Sequence, residues 1–317
     1  MRVYTRLFNK ITDTENLFSA WDEFKCGKRN RPDVLAFEEN IEQNIFALHR
    51  DLISKKYKHG AYSSFYIYDP KLRHIHKATV RDRVLHHAIF KILNPIFEPT
   101  FISHSFSCRV GKGTHKGVEV LDKMLRKVSR NYSQTAYALK CDVRKFFDSV
   151  DHAILIQLLR RKIKDADTLW LMEEIIESFT GKSSDLFTRK GLPIGNLTSQ
   201  LFANVYMNEF DQFMKKELKI GNYVRYTDDF IAVSESEDFL KKLIPKIQDF
   251  LRNNLNLELH PSKVTIGKYR RGVDFLGYVS FPHYRSLRKR TERRMIRKLD
   301  EKIEMVKKGQ ITDESLR

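Results

Sequence analysis

Several things this 317-residue chain lacks narrow it before anything it contains. Cysteine is scarce: Cys26, Cys108 and Cys141 stand singly, with no CxxC pair, which argues against a thiolate zinc site or a disulfide framework. The eleven histidines never take HExxH spacing. His74 and His76 alternate as on a strand, and His86–His87 read as helix-surface residues. No run of about 18 uncharged apolar residues occurs, so no transmembrane helix is expected. The opening MRVYTRLFNKITDTENLF lacks the basic-then-apolar layout of a secretory signal, and a cytoplasmic location is expected. There is no internal repeat and no low-complexity linker. The glycine-rich RVGKGTHKG lacks GxxxxGK[ST] spacing, so it is not a P-loop.

Acid is also in deficit. Forty Asp and Glu face 58 Lys and Arg, a net charge of +18. A domain this basic meets a polyanion, most commonly nucleic acid. A membrane surface is the rival partner, but no long basic amphipathic helix with a bulky aromatic face is evident. With 41% hydrophobic and 12% aromatic residues the chain can bury a substantial core, as one large domain or as subdomains around a cleft.

The first third reads as helical. Residues 33–54 place Leu35, Ile41, Ile45, Leu48 and Leu52 at helical spacing. A short strand in SSFYIYDP ends at Pro70, a helix in RDRVLHHAIFKILNPIF stops at Pro95, and HKGVEVLDKMLRKVS is a third helix. Residues 135–150 read as a strand entering a turn, with Asp151 as N-cap of the next helix. SSDLFTRKGLPIGN is turn-rich, a small hairpin or loop, and NLTSQLFANVYMNEFDQFMKK reads as a long amphipathic helix. NYVRYTDDFIAVSES alternates on both sides of Asp228–Asp229, as a hairpin with a polar tip does. EDFLKKLIPKIQDFLRNNL is another helix, and KVTIGKYRRGVDFLGYVSF supplies two further strands. Short antiparallel strands mixed with helices argue an α+β fold. From Arg285 to Lys308, eleven Lys or Arg face four acids on a helical pattern carrying Leu287, Met295, Leu299, Ile303 and Val306.

The carboxylates carry the chemistry. Two-metal phosphoryl transfer needs Mg²⁺ ions about 3.5–4 Å apart on converging carboxylates. Asp142 ends an apolar strand and Asp228–Asp229 tip a hairpin. Were those elements neighbours in one sheet, three carboxylates would meet, a cluster that implies metal because like charges repel. Read singly, Asp142 is as well explained as a turn cap, and Asp-Asp as a turn dipeptide.

CDVRKFFDSVDH, GLPIGNLTSQLFANVYMNEFD, YTDDF, LNLELHPSKV and VDFLGYVSF, in that order, resemble the palm motifs of bacterial reverse transcriptases. RHIHKATVRDRV and SFSCRVGKGTH resemble the fingers motifs that precede them, so the resemblance spans about residues 65–281. It implies a right-hand polymerase fold: an N-terminal helical extension (1–64), fingers (65–134), a palm (135–284, with a fingers insertion around 165–195) and a partial helical thumb (285–317).

By that resemblance Asp142 and Asp228 match the metal-binding aspartates, with the Val143 backbone beside them, and Asp229 matches the supporting carboxylate. Two Mg²⁺ ions, replaceable by Mn²⁺, are implied. Phe147 matches the bulky gate that excludes a ribose 2′-hydroxyl. Lys263 matches a lysine near the triphosphate, as acid or charge clamp; an exposed lysine after a Pro-Ser turn explains it nearly as well. Lys71, Arg73 and Arg81 match basic fingers positions, with the assignment among them open. Phe275, Leu276, Gly277 and Tyr278 match the primer grip, where glycine allows close backbone approach. RVGKGTHKG is either a template-touching fingers segment or a flexible basic loop.

One block departs from the family pattern. Gln-Gly closed by Ser-Pro is replaced by Ile194-Gly195 closed by Ser199-Gln200. This variant resembles the reverse transcriptases of diversity-generating retroelements, which copy a template RNA with errors at adenines. That subgroup implies template RNA, a cDNA primer, dNTPs and a small basic accessory protein as partners, with no membrane. Retron-like or phage-defence enzymes, and a non-catalytic maturase-like RNA binder, are the alternatives.

Overall fold

A computed structural model describes residues 2–68, 72–181, 184 and 188–311. The N-terminal layer comprises α1 (Leu7–Thr12), α2 (Thr14–Lys25), α3 (Pro32–Glu38) and α4 (Ile41–Ile53). The single helix expected over 33–54 is therefore two. Asn40 leaves helical geometry at φ −125°, and Asn44 Nδ2 donates to Phe37 O at 3.0 Å across the break. The kink lets Ile45, Leu48 and Leu52 bury completely while Leu35 stays 47% exposed, a division one straight stripe could not make.

A hairpin follows, β1 (Ser63–Tyr68) with β2 (Leu72–Lys77). Pro70, where β1 was expected to end, lies outside the described residues. Next is α5 (Val80–Phe97), capped by Thr79 Oγ1 accepting from Asp82 N. α5 does not stop at Pro95 but runs two residues past it. Proline forfeits one helical hydrogen bond, and burial of Ile96 and Phe97 offsets that loss. Nor is His86 a surface residue. It is 1% exposed, stacked 5.3 Å from His59, because it falls on the α5 face that packs inward. His87 beside it is half-buried.

Beyond α6 (Thr114–Val128) comes β3 (Tyr137–Asp142), then α7 (Phe146–Ser149), α8 (His152–Arg160), α9 (Ala166–Glu177) and α10 (Leu197–Gln212). Asp151 caps α8 by accepting from Ile154 N at 3.2 Å. α10 is buried nearly all round rather than amphipathic, because α5, α8 and α11 (Glu237–Leu255) all pack on it. β4 (Tyr223–Tyr226) and β5 (Asp229–Ser234) form the expected hairpin. Residues 263–281 give three strands where two were expected: β6 (Thr265–Lys268), β7 (Val273–Phe275) and β8 (Tyr278–Ser280). β9 (Arg285–Leu287) takes Leu287 out of the terminal helix α12 (Lys289–Lys307), which buries no residue.

The central antiparallel sheet runs β4-β5-β3-β6, and β7-β8-β9 form a second. Alternation divides the central sheet cleanly. Leu139, Cys141, Phe230 and Ala232 face the large helical core, while Ala138, Ile231 and Val233 face α6 and the second sheet. Both faces are covered, so the catalytic candidates can emerge only at its end. Among the described residues no helix is long and apolar enough to cross a membrane.

Candidate active site

Register brings the aspartates together. Asp142, last in β3, pairs directly with Asp229, first in β5. Asp228 occupies the intervening turn, where Thr227 takes a left-handed φ of 56°. The turn is anchored from both sides, since Val143 N donates to Asp228 O at 3.2 Å and His260 N to Asp142 O at 2.8 Å. A cavity of about 730 Å³ opens over this end of the sheet.

A buried ion pair that sequence reading did not single out holds the turn. Arg225 Nε and Nη2 reach Asp211 at 2.8 and 2.6 Å, and Arg225 Nη1 donates to Thr227 O at 2.8 Å. Tyr223 OH completes the set on Asp211 at 2.8 Å. Burial alone would lower the arginine's pKa, but Asp211 overrides it and the net shift is upward. A fully buried pair contributes positional definition more than net stability. The available signal was a charged residue on an otherwise apolar strand.

Cations already sit against the carboxylates. Lys263 Nζ bonds Asp142 Oδ1 at 2.9 Å; Lys140 Nζ lies 3.8 Å from Asp229 Oδ2 and 3.2 Å from Asp274 Oδ1. They do not neutralise the cluster. Burial, against the pull of Lys140 and with the charges of Asp228, Asp142 and Asp274, pushes the Asp229 carboxyl up to about 7. Its Oδ1 has no hydrogen-bond partner. Burial and the same aspartates push the neighbouring Cys141 thiol up.

Hard carboxylate oxygens, an orphaned Oδ1 and uncompensated negative charge are the donor chemistry a divalent Mg²⁺-like ion needs, so the residues fit in kind. Among the described residues, no three His, Cys, Asp or Glu side chains are already gathered around one point. Lys263 on Asp142 is the ammonium counterion of the present arrangement.

The other expected residues divide. Arg73, Phe147, Ile194, Lys263 and Leu276 line the carboxylate cavity with Val143. Ile194 O accepts from His76 N at 3.1 Å, fixing that loop to β2. Gly195 has φ +119°, and a Cβ there would lie 3.1 Å from Ile75 Cγ2; it faces away, into a second cavity. Arg81 is elsewhere, on Asp51 at 2.6 Å and over the Tyr57 ring. Lys71 lies outside the described residues. Phe275 is fully buried, whereas Leu276 and Gly277, at φ 51° and 91°, make the two-residue β7–β8 turn. Tyr278 OH approaches His115 Nδ1 at 3.3 Å. Ser107, Cys108, Lys145 and His260 also line the cavity without having been anticipated.

A covered antiparallel sheet presenting paired aspartates at its end beneath a cleft defines a polymerase-type palm. The chain belongs to the reverse transcriptase (RNA-dependent DNA polymerase) family, whose model it matches over residues 57–280. Protein YkfC of Escherichia coli (strain K12) is 26% identical over 217 residues, 65% of this chain and 56% of the relative. Group II intron-encoded protein LtrA of Lactococcus lactis subsp. cremoris is 29% identical over 145 residues, 45% of this chain and 23% of LtrA. The chain thus spans about half of the first relative and under a quarter of the second.

Apo telomerase from Candida tropicalis, truncated from its C-terminal domain, aligns with a TM-score of 0.53 at 12% identity, over 76% of this chain and 59% of that one. Telomerase from Candida albicans in complex with a fragment of telomeric RNA aligns at 0.51 and 10%, over 81% and 50%. At such identities the likeness speaks to fold, and it agrees with the expected α+β right-hand polymerase architecture.

Proposed function

We propose that this chain is an RNA-directed DNA polymerase acting through Asp142, Asp228 and Asp229. The carrying observation is the Asp142–Asp229 register, with Asp228 adjacent, under a cleft that Arg73, Phe147 and Lys263 share. Asp142, Asp228 and the Val143 carbonyl would hold two divalent cations, with Asp229 in support. When bound, such ions supply a lowered pKa for the primer 3′-hydroxyl and neutralisation at the departing pyrophosphate. Lys263 and Arg73 serve the incoming triphosphate, Phe147 excludes a 2′-hydroxyl, and the turn at Leu276–Gly277 meets the primer. Residues 65–134 act as fingers, 135–284 as palm and 285–317 as part of a thumb, after a helical extension.

Within the family we assign it to the diversity-generating type, on Ile194-Gly195 with Ser199-Gln200. That assignment entails a structured template RNA, a small basic accessory protein and error-prone copying. The intron-encoded relative LtrA favours a second reading, an intron-type enzyme; the error spectrum of the cDNA separates the two.

Primer extension on cognate RNA tests the activity. Asp228→Ala should lower the rate by about a thousandfold or more, since metal-borne charge stabilisation is worth several kcal/mol. The proposal fails should wild-type protein, with Mg²⁺ or Mn²⁺ and any accessory protein, extend nothing.

A further inference from the structure

Back to back with the carboxylate cavity lies a second one of about 320 Å³. The two share a wall: the β1–β2 hairpin and the 194–196 segment, with Ile194 facing one cavity and Gly195 and Asn196 the other. Charge is reversed across that wall. Lys28, Arg31, Lys77 and Arg83 line the second cavity, and none of its described lining residues is Asp or Glu. Asp33, outside the lining, is shared by two of these cations, 2.7 Å from Lys77 Nζ and 2.5 Å from Arg83 Nη2. Lys28 and Arg83 both sit 4.8 Å from the centroid of the Phe24 ring. Burial, then the charges of Arg83 and Arg31, lowers the Lys28 pKa. Like charges gathered this way are relieved by a shared anion.

The cavity also lies at the start of α10, where Asn196 is the N-cap residue yet its side chain makes no capping bond. Asn196 is 2% exposed, and neither its amide oxygen nor its nitrogen has a partner. His86, 1% exposed and on the same cavity, has both ring nitrogens unpartnered. Buried polar groups without partners are rare, and two side chains so placed on one cavity call for a ligand. A bare phosphate would answer the cations and the helix N-terminus but leave the amide oxygen unmatched. An amide offers one donor and one acceptor side by side, the complement of a nucleobase edge. Phe24, Phe65 and His87 supply ring faces on the same lining, as base-stacking sites do.

We propose that this cavity binds one unpaired nucleotide of the template strand next to the active site, its base edge toward Asn196 and its phosphate on Lys28, Arg31 and Arg83. The assignment rests on the reading of the chain as a templated polymerase.

The test uses a labelled RNA template annealed to a DNA primer, with a short single-stranded template overhang made abasic at each position in turn. Binding is read by fluorescence anisotropy in chelator, so that no chemistry intervenes. One abasic position should weaken binding by about tenfold, the range of one base stack, and Asn196→Ala should erase that difference. Arg31→Ala, on an exposed rim residue, should weaken the overhung duplex and spare a blunt one. Equal binding by every abasic template overturns the proposal, as does an Arg31→Ala loss shared equally by blunt and overhung duplexes. So does competition by free nucleoside monophosphates at template concentration, which would assign the cavity to a free nucleotide. A protein that extends primers yet ignores overhang bases sinks this site alone; one that extends nothing sinks the polymerase reading.

Discussion

Three aspartates and three cations, Lys28, Arg31 and Arg83, face opposite cavities across residues 194–196, and each group carries charge that its neighbours cancel only in part. The two sides reach that state differently. The acidic side is built from strands whose register fixes Asp142 against Asp229, and Lys140 and Lys263 are already in contact with it. The basic side is assembled from α2 and the loop after it, the β1–β2 hairpin, α5 and the start of α10, and it leaves Asn196 and His86 without partners. A site that must position two ions is thus rigid before anything binds. A site for a passing strand leaves its polar groups waiting.

Removing Arg225 should break that contrast most severely. Arg225→Met leaves Asp211 buried with Tyr223 OH as its remaining described side-chain donor, and it frees Thr227 O. Breaking a fully buried pair by removing one partner costs about 3–5 kcal/mol. Chemical denaturation should register that loss, and a second change, Asp211→Leu, should recover most of it. A cost near zero would mean that the acidic turn is held by its backbone bonds alone.

The basic side should respond to acid through His86. Burial, and next the neighbouring His59, hold its ring pKa at about 3 against an ordinary 6.5, while Asp82 pulls it up and His87 and Arg83 push it down. The folded value lies below the unfolded one, so the unfolded chain binds more protons between them. Stability is therefore full above pH 6.5 and falls as pH drops toward 3. At pH 4.5 the loss from this one ring is about 2–3 kcal/mol. His86→Phe should flatten the decline in stability between pH 7 and 4.5 by that amount. An unchanged slope would show that the ring is solvated rather than sealed.

Legibility in the sequence follows the same divide. Asp142, Asp228 and Asp229 could be placed because strand alternation and a polar hairpin tip are local signals, and the ordered palm motifs fix their order. The Arg225–Asp211 pair was invisible, since a strand and the end of α10 must first be folded together. The helix break at Asn40 was missed because apolar spacing continues straight through it, and β9 because three residues carry no period. Arg81 shares the basic character of Arg73, yet its place in the first turn of α5 turns it toward Asp51. The basic cavity could not be anticipated because its lining comes from segments far apart in the chain.

The smallest expected effect sits on the shared wall itself. Ile194 lines the carboxylate cavity with an apolar side chain, and its carbonyl is engaged by His76 N, so its backbone is fixed whatever the side chain. A glutamine there would regain a polar contact to the nascent base pair without moving the loop. One hydrogen bond contributes on the order of 1 kcal/mol, about fivefold in selectivity. Ile194→Gln should accordingly lower misincorporation opposite template adenine about fivefold, read by sequencing cDNA made from a defined RNA, with little change in folding stability. If the error spectrum stays the same while extension proceeds normally, base-pair discrimination lies elsewhere in the cleft. The wall would then matter only as the partition between the acidic and basic cavities.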